Sequence, residues 1–343
     1  MRCKILWTLF GLIVVTMTVI GTPTSSHASS VSYTASTVSK SNLPPVYQQF
    51  LLSVGGSHFV TVDGVRMHYV ENGSVSRPTL LLLHGSPDNI FTWRTIMPLL
   101  MQHYHVVAPD LIGFGLSDHP DIRYTWSAET HYLTKFIEAL HLHHVTLVVT
   151  DIGGLFGFTY AANHPQNIAG IALWESVTAP IPSYDVLGAY CPACVQFFQV
   201  PKNPALAKKY IIDNPQFATQ IYSSSKGLLH PLSPTELAGY AYFLSTPSER
   251  RVVAEIGTQM PIAGDPTNNF RTITAFAHDL RTSAVPKLVL YANPSSILPA
   301  ATAIGLGMPN TQYASVGAGY HYLAEDEPIA IVNALLTWRA TFN

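Results

Sequence analysis

The chain has 343 residues, of which 48% are hydrophobic and only 11% are charged, and its formal net charge at pH 7 is -2. This length and apolar content are sufficient for a large buried core with an inserted subdomain. A charge balance so close to neutral excludes the basic surface that nucleic-acid binding requires, so we expect no nucleic-acid partner.

The first 28 residues predict an export signal. Two basic residues precede an apolar stretch from Ile5 to Ile20, and Ser26-His27-Ala28 supplies small residues for cleavage before Ser29. An uncleaved membrane anchor is the alternative, although a full span usually needs about 20 apolar residues. We therefore expect a secreted or periplasmic protein with no stable membrane partner after cleavage. Residues 29–49 are interpreted as a flexible, Ser/Thr-rich lead-in.

An apolar run, Leu80-Leu81-Leu82-Leu83, ends in the turn His84-Gly85-Ser86-Pro87. The run predicts a buried strand. A backbone N–H at Ser86 is suitably placed to form one half of an oxyanion hole. We interpret His84 as a buried imidazole that holds the turn.

A second apolar run ends at Asp151-Ile152-Gly153-Gly154 and continues as an apolar helix. This pattern is typical of a nucleophile elbow, a tight strand-to-helix turn that projects a reactive side chain. A carboxylate is ionised at pH 7 and suits attack on a saturated carbon, so we interpret Asp151 as a nucleophile. The Ile152 N–H would be the second oxyanion-hole donor. The alternative is that Asp151 only caps the following helix.

The base and the acid are predicted further along the chain. His321 follows a glycine-rich loop and precedes a helix, where a general base can reach the elbow. The late strand Pro286–Tyr291, after which the acid usually stands, is followed by no carboxylate. The strand Gly170–Trp174 ends instead in Glu175, at the same sheet edge, so we assign Glu175 to orient His321. A solvated Glu at a strand end is the alternative interpretation.

The alternation of apolar strands and helices from Val106 to Trp174 predicts a mostly parallel central sheet with helices on both faces, the α/β-hydrolase fold. Proline-rich breaks bound an inserted helical cap at 180–260, which leaves 50–179 and 261–343 as the core. Cap helices lying over the elbow would form an apolar pocket for a small hydrophobic substrate. The residues predicted to line it are Cys194, Phe197, Phe198, Phe276 and Ile297. Each aromatic has a core role as its alternative.

Two cysteines, Cys191 and Cys194, form a Cys-Pro-Ala-Cys pair in the predicted cap, while Cys3 lies in the signal. For an exported protein we expect a local disulfide, whose stabilisation is modest because it closes a very small loop. A redox-active thiol pair is the alternative. No His/Cys cluster has zinc spacing and no glycine-rich phosphate loop is present, so we expect no metal or cofactor.

Together, the segments His84–Pro87, Ala108–Asp118, Asp151–Gly153 and His321–Asp326 resemble the haloalkane dehalogenases, from about Phe50 to the C-terminus. The resemblance is to the branch whose acid follows strand six. It implies a covalent ester on Asp151, hydrolysed by water that His321 activates with Glu175 as the acid. Family members hold the leaving halide with an Asn and a Trp, where this chain has Ser86 and Ile152.

Two other functions remain open. The related epoxide hydrolases share the elbow, but they need two cap hydroxyls, usually Tyr, to protonate the epoxide oxygen. The matching places in this chain fall at Cys194 and Phe276, although other tyrosines lie in the same cap. The third hypothesis is a ligand-binding protein that keeps this fold without efficient chemistry. Halide release, diol formation and ligand retention without turnover would distinguish the three.

Overall fold

An eight-stranded sheet lies at the centre of the described part of the protein, which comprises residues 42–222, 227–295 and 308–342 of the computed structural model. The strands are β1 (His58–Val62), β2 (Val65–Asn72), β3 (Thr79–Leu83), β4 (His105–Pro109), β5 (Val145–Thr150), β6 (Ile168–Trp174), β7 (Lys287–Ala292) and β8 (Thr311–Gly317). Their order is β1-β2-β4-β3-β5-β6-β7-β8. Only β2 runs antiparallel to its neighbours among these strands, which confirms the predicted mostly parallel sheet.

The central strands are apolar because both faces of the sheet are covered. All six residues of β5 are buried, and successive side chains of a strand point to opposite faces. In β3 the four leucines Leu80–Leu83 are fully buried. Continuous apolar runs of this kind are typical of parallel strands packed between two helical layers.

The core helices pack against this sheet. They are α1 (Pro45–Ser53), α2 (Met97–Leu100), α3 (Trp126–Ala139), α4 (Asp151–Asn163), α11 (Thr267–Thr282), α12 (Leu323–Asp326) and α13 (Pro328–Arg339), with short 3-10 turns at Ile90–Trp93 and Pro165–Asn167. Helix α4 lies against β3, β5 and β6, while α13 lies against β7 and β8. The elbow residue therefore begins the helix that covers the middle of the sheet.

The cap is inserted between β6 and α11. Its helices are α5 (Tyr184–Tyr190), α6 (Pro192–Lys202), α7 (Pro204–Ala207), α8 (Phe217–Tyr222), α9 (Pro234–Ala241) and α10 (Pro247–Gly257), with a π-helical turn at Lys208–Ile212 and a 3-10 turn at Tyr242–Leu244. The N–H of Ala263 donates to the carbonyl of Ile181 at 3.0 Å, so the chain enters and leaves the cap at one place.

The predicted lead-in ends earlier than the sequence suggested. Helix α1 begins at Pro45, a residue type favoured in the first helical turn, and Tyr47 is fully buried. The Tyr47 ring packs against Phe91 and Phe243, with ring centroids 5.5 and 4.8 Å away. Residues 45–49 are thus fixed to the core by an aromatic anchor and are not a flexible lead-in.

The N-terminal predictions cannot be placed on this fold. The predicted signal, residues 1–28, and the lead-in as far as residue 41 lie outside the described residues, as does Ile297. Among the helices that are described, none is long and apolar enough to cross a membrane. The export signal and the localisation stay predictions.

Candidate active site

The elbow holds Asp151 in a strained backbone conformation. Its φ is +50°, a region that residues with a side chain rarely adopt. Two contacts from the turn after β6 hold it: the Asp151 N–H donates to the Glu175 carbonyl at 3.1 Å, and the Ser176 hydroxyl donates to the Asp151 carbonyl at 2.7 Å. Strain of this kind persists only where the surroundings enforce it, as they do at reactive sites.

The carboxylate of Asp151 faces away from its own helix. Helix α4 has no side-chain cap, and Oδ1 of Asp151 accepts the Ser86 N–H at 2.9 Å, from the turn after β3. Glycine at position 85 makes this contact possible, because a Cβ there would lie 2.5 Å from the Asp151 Cβ. The arrangement is that of an oxyanion-hole donor, and it disfavours the helix-capping alternative.

The structure brings the three predicted catalytic residues together. Nε2 of His321 lies 3.6 Å from Oδ2 of Asp151, and its Nδ1 lies 3.5 Å from Oε2 of Glu175. The side chain of Glu175 is fully buried, and the Ser295 hydroxyl donates to its other oxygen, Oε1. Glu175 is therefore not a solvated strand-end residue.

The surroundings of His321 raise its pKa. Burial acts to lower its pKa, but Glu175, 3.5 Å from Nδ1, and the charge of Asp151 outweigh burial and raise the pKa to about 9. An imidazole with carboxylates on both sides is stabilised in its charged form. The two carboxylates therefore favour the protonated form of His321 at neutral pH.

The loop that carries His321 is tied to the cap. The N–H groups of His321 and Tyr322 both donate to the carbonyl of Gly227, at 3.1 and 2.9 Å. The carboxylate of Asp326 accepts the N–H groups of Leu229 and Tyr320. The position of His321 thus depends on Gly227 and Leu229, which precede α9, as well as on the core.

A buried carboxylic acid, Asp88, lies close enough to His321 and Asp151 to interact with their charges, and the sequence analysis did not single it out. Asp88 is 3% exposed and accepts a hydrogen bond from the Tyr222 hydroxyl at 2.8 Å. Burial raises the pKa of Asp88 to about 7, against the opposing effects of the Tyr222 hydrogen bond and of His321. Asp88 directly follows the predicted turn, but nothing in the sequence pointed to a partner 134 residues away.

A small apolar cavity opens at Asp151. Of the predicted site residues, Asp151, Ser86, Ile152, Phe197 and Phe198 line it. Its other apolar walls are Trp126, Leu155, Phe156, Pro201, Ile211, Val253, Ile256 and Met260. The cavity has a volume of about 30 Å³, which restricts it to small molecules.

Two predicted pocket residues lie elsewhere. Phe276 is 1% exposed and packs between α11 and the core, with its ring 5.4 Å from that of Phe158. It misses the cavity because α11 has already left the cap and its apolar face covers α4. Cys194 is joined to Cys191 in the predicted disulfide at the start of α6, and it does not line the cavity either.

The cavity contains one side-chain amide, that of Gln259, among the described residues. Its Oε1 accepts hydrogen bonds from the backbone N–H of Trp126 at 3.3 Å and from Nδ2 of Asn269 at 3.2 Å. These two bonds fix the orientation of the amide. Nε2 donates to the Thr258 hydroxyl at 3.0 Å, and an amide nitrogen has a second N–H. The indole N–H of Trp126 donates to Thr159 and is not a donor to the cavity.

The remaining predictions around the site concern His84 and metals. His84 is fully buried, its Nδ1 bonds the Gly85 carbonyl at 2.7 Å, and its Nε2 accepts the Leu111 N–H at 3.0 Å. Its role as a turn-holding imidazole is confirmed. In the described residues, no group of three or more His, Cys, Asp and Glu side chains is arranged to hold a metal ion.

The parallel sheet, the elbow and the inserted cap define the class, an α/β-hydrolase. Residues 78–328 match the model of the family described as alpha/beta hydrolase fold, which confirms the predicted fold. The haloalkane dehalogenase of Mesorhizobium japonicum is 34% identical over 275 residues, covering 79% of this chain and 87% of that protein. That of Sphingobium indicum is 33% identical over 288 residues, covering 82% and 94%.

Solved structures agree with these relatives. The crystal structure of haloalkane dehalogenase DbeA from Bradyrhizobium elkani superposes with a TM-score of 0.79 at 32% identity, covering 84% of this chain and 98% of that one. The chain belongs to the haloalkane dehalogenase family and is a hydrolase, as its motifs predicted.

Proposed function

We propose that this protein releases halide from small haloalkanes through a covalent ester on Asp151. The observation that carries the proposal is the placement of Asp151 at the end of an apolar cavity, with the imidazole of His321 3.6 Å from its carboxylate. The relatives named above are haloalkane dehalogenases, and the solved structure among them shares this architecture. The partners required are a small hydrophobic substrate and water.

The first step is displacement at carbon. The free oxygen of Asp151, Oδ2, attacks the carbon that bears the halogen, the carbon–halogen bond breaks, and the halide leaves with the bonding electrons. The other oxygen, Oδ1, stays on the Ser86 N–H. The product is an alkyl ester whose carbonyl oxygen already lies in the oxyanion hole.

The second step uses the change in charge that the first one makes. Ester formation removes the negative charge of Asp151, which is one of the causes that raise the pKa of His321. The imidazole then releases its proton to solvent water more readily and can act as a base. It takes a proton from water as the water oxygen attacks the Asp151 carbonyl carbon. The N–H groups of Ser86 and Ile152 stabilise the oxyanion. When it collapses, the bond between the carboxyl carbon and the alkyl oxygen breaks, that oxygen takes the hydroxyl proton, and the alcohol leaves with the Asp151 carboxylate and the His321 imidazolium restored.

The leaving halide needs hydrogen-bond donors, and the chain supplies them from an unusual set. Ser86 and Ile152 stand where family members have the Asn and the Trp, and both line the cavity, so the hydroxyl of Ser86 and the N–H of Ile152 are two of these donors. We assign the second N–H of Gln259 as a further donor, because its amide is fixed with the oxygen turned towards Trp126 and Asn269. The side-chain amide that family members supply with Asn is thus supplied here by Gln259, at the end of the cap.

Epoxide hydrolysis is less well supported. Its two acids were expected at Cys194, whose sulfur is held in a disulfide, and at Phe276, which lies in the core. No tyrosine lines the cavity among the described residues. The hydroxyls of Tyr222 and Tyr240 donate to Asp88 and Glu325, outside the cavity lining. A ligand-binding role without turnover is the other alternative, and the same experiment addresses it.

The deciding experiment is mass spectrometry of a His321→Phe variant incubated with bromoalkanes and with epoxides. Without the base, hydrolysis stops at the ester, so the Asp151 peptide gains the mass of the alkyl group with bromoalkanes only. His278→Phe, a change of an exposed histidine on α11, is the matched control and accumulates no ester. An adduct with epoxides alone favours the epoxide hydrolase, and no adduct with any substrate favours the binding protein.

We also propose that the protein is exported, on the strength of the charge and hydropathy pattern of residues 1–28. Expression in a host with a secretion pathway, followed by N-terminal sequencing, tests this. A mature chain that begins at Ser29 supports cleavage, and an intact N-terminus in the membrane fraction supports the anchor instead.

A further inference from the structure

The disulfide between Cys191 and Cys194 occupies the start of a helix. Cys191 is the N-cap residue of α6, and its Sγ accepts the N–H of Cys194 at 3.3 Å. Pro192, which separates it from the helix interior, stands in the first helical position. Both cysteines are partly exposed. The pair therefore combines a Cys-x-x-Cys spacing, a helix N-terminus and access from solvent.

This placement favours the thiolate form of Cys191 once the bond is reduced. The first N–H groups of a helix have no partner within the helix, and the N-terminal end of the helix carries a partial positive charge. A thiol at that end, in a Cys-x-x-Cys pair, has a lowered pKa and is the reactive one of the two. Cys194, one turn inside, is positioned to attack a mixed disulfide on Cys191.

A purely structural role explains the bond poorly. A disulfide stabilises a fold mainly by restricting the unfolded chain, and the restriction grows with the length of the loop that it closes. Here the two cysteines are only three positions apart. The helix is also fixed by other means, since Phe198 is buried in the core and α6 packs against α5, α7 and α10.

We propose that Cys191 and Cys194 form a thiol–disulfide exchange site, separate from the hydrolase site, that reacts with small disulfides and thiols. In the reduced protein, the Cys191 thiolate attacks a disulfide R–S–S–R, which forms Cys191–S–S–R and releases one R–S⁻. The Cys194 thiolate then attacks Cys191 Sγ, which restores the internal bond and releases a second R–S⁻. One disulfide is reduced to two thiols, and the cysteine pair is oxidised by two electrons.

The test is a trapping experiment in a Cys3→Ser background, which removes the third thiol of the chain. Reduced Cys194→Ser, reduced Cys191→Ser and the reduced parent are each mixed with oxidised glutathione, and the adducts are mapped by mass spectrometry. We expect Cys194→Ser to accumulate a stable glutathione adduct on Cys191. The parent should regain its internal disulfide without an adduct, and Cys191→Ser should react about tenfold more slowly.

Two results overturn the proposal. One is equal reactivity of the two single variants, since Cys191 then has no special position. The other is an internal disulfide that excess dithiothreitol does not reduce while the far-UV circular dichroism of the protein stays native, since the bond is then structural only. Neither readout depends on halide release, so failure here leaves the proposed hydrolase function untouched.

Discussion

The proposed role of Gln259 gives the sharpest prediction, because it concerns the part of the site where this chain departs most from its relatives. The perturbation is Gln259→Met, which keeps the length of the side chain and removes its N–H groups. A donor directed at developing charge contributes about 3 kcal/mol, which is about a hundredfold in rate. We expect a loss of that size in the rate of ester formation with a chloroalkane.

The assay compares leaving groups on one alkyl chain. The variant also loses the acceptor for Trp126 and Asn269, so part of its defect is structural and should be equal for every substrate. A hydrogen bond to the departing halide acts differently, since chloride concentrates its charge more than iodide and needs more stabilisation. The loss should therefore be largest for chloride and smallest for iodide in single-turnover halide release.

The matched control is Gln199→Met, which makes the same change at an exposed position of α6. It should behave as wild type with all halides. If Gln259→Met slows chloride, bromide and iodide release by one common factor, the amide does not contact the leaving group. The assignment of Gln259 is then wrong, even where the Asp151 ester itself is detected.

Three further changes test the same site. Glu175→Gln keeps the size of the side chain but removes the charge that stabilises the imidazolium formed when His321 takes a proton from water, so the ester should accumulate in single-turnover mass spectrometry; a rate of ester hydrolysis equal to wild type contradicts this. Gly85→Ala places a Cβ 2.5 Å from the Asp151 Cβ and should abolish most halide release, and an active variant would show that the turn shifts freely. Asp88→Asn removes a group whose pKa burial raises to about 7, so the stability that protonated Asp88 gives to wild type is lost as the pH rises from about 4 to about 7. The variant should gain on wild type over that interval, by up to about 4 kcal/mol in urea unfolding, and a constant difference would refute it.

The predictable part of the site is the part that local sequence determines. The elbow, the turn at Ser86 and the loop of His321 each combine an apolar run or a helix start with glycines, and these patterns require no knowledge of distant contacts. The role of Glu175 could be predicted because parallel strands present their carboxyl ends at the same edge of the sheet. The fold followed from the same alternation of strands and helices.

The parts that sequence reasoning missed depend on contacts between distant segments. Gln259 is hydrogen-bonded to Trp126, 133 residues away in the sequence, and Asp88 to Tyr222, 134 residues away. No periodicity in the sequence links either pair. Phe276 was different, because a signal was available. The buried residues Ile273, Phe276, Ala277 and Leu280 follow helical spacing, which indicates a core-facing helix and not a pocket wall.

The cap is joined to the loop of His321, the base of the proposed mechanism. Arg94, in the core, donates to Glu236 of α9 at 3.1 Å and to Glu325 of α12 at 2.7 Å, and the Tyr240 hydroxyl also donates to Glu325. Glu325 lies four residues after His321, and the cap also supplies Gln259. In the proposed mechanism, the base for the second step and a donor for the first are therefore positioned by the same inserted segment. Movement of the cap would change both steps together, whereas the nucleophile, fixed by β3, β5 and β6, would stay in place.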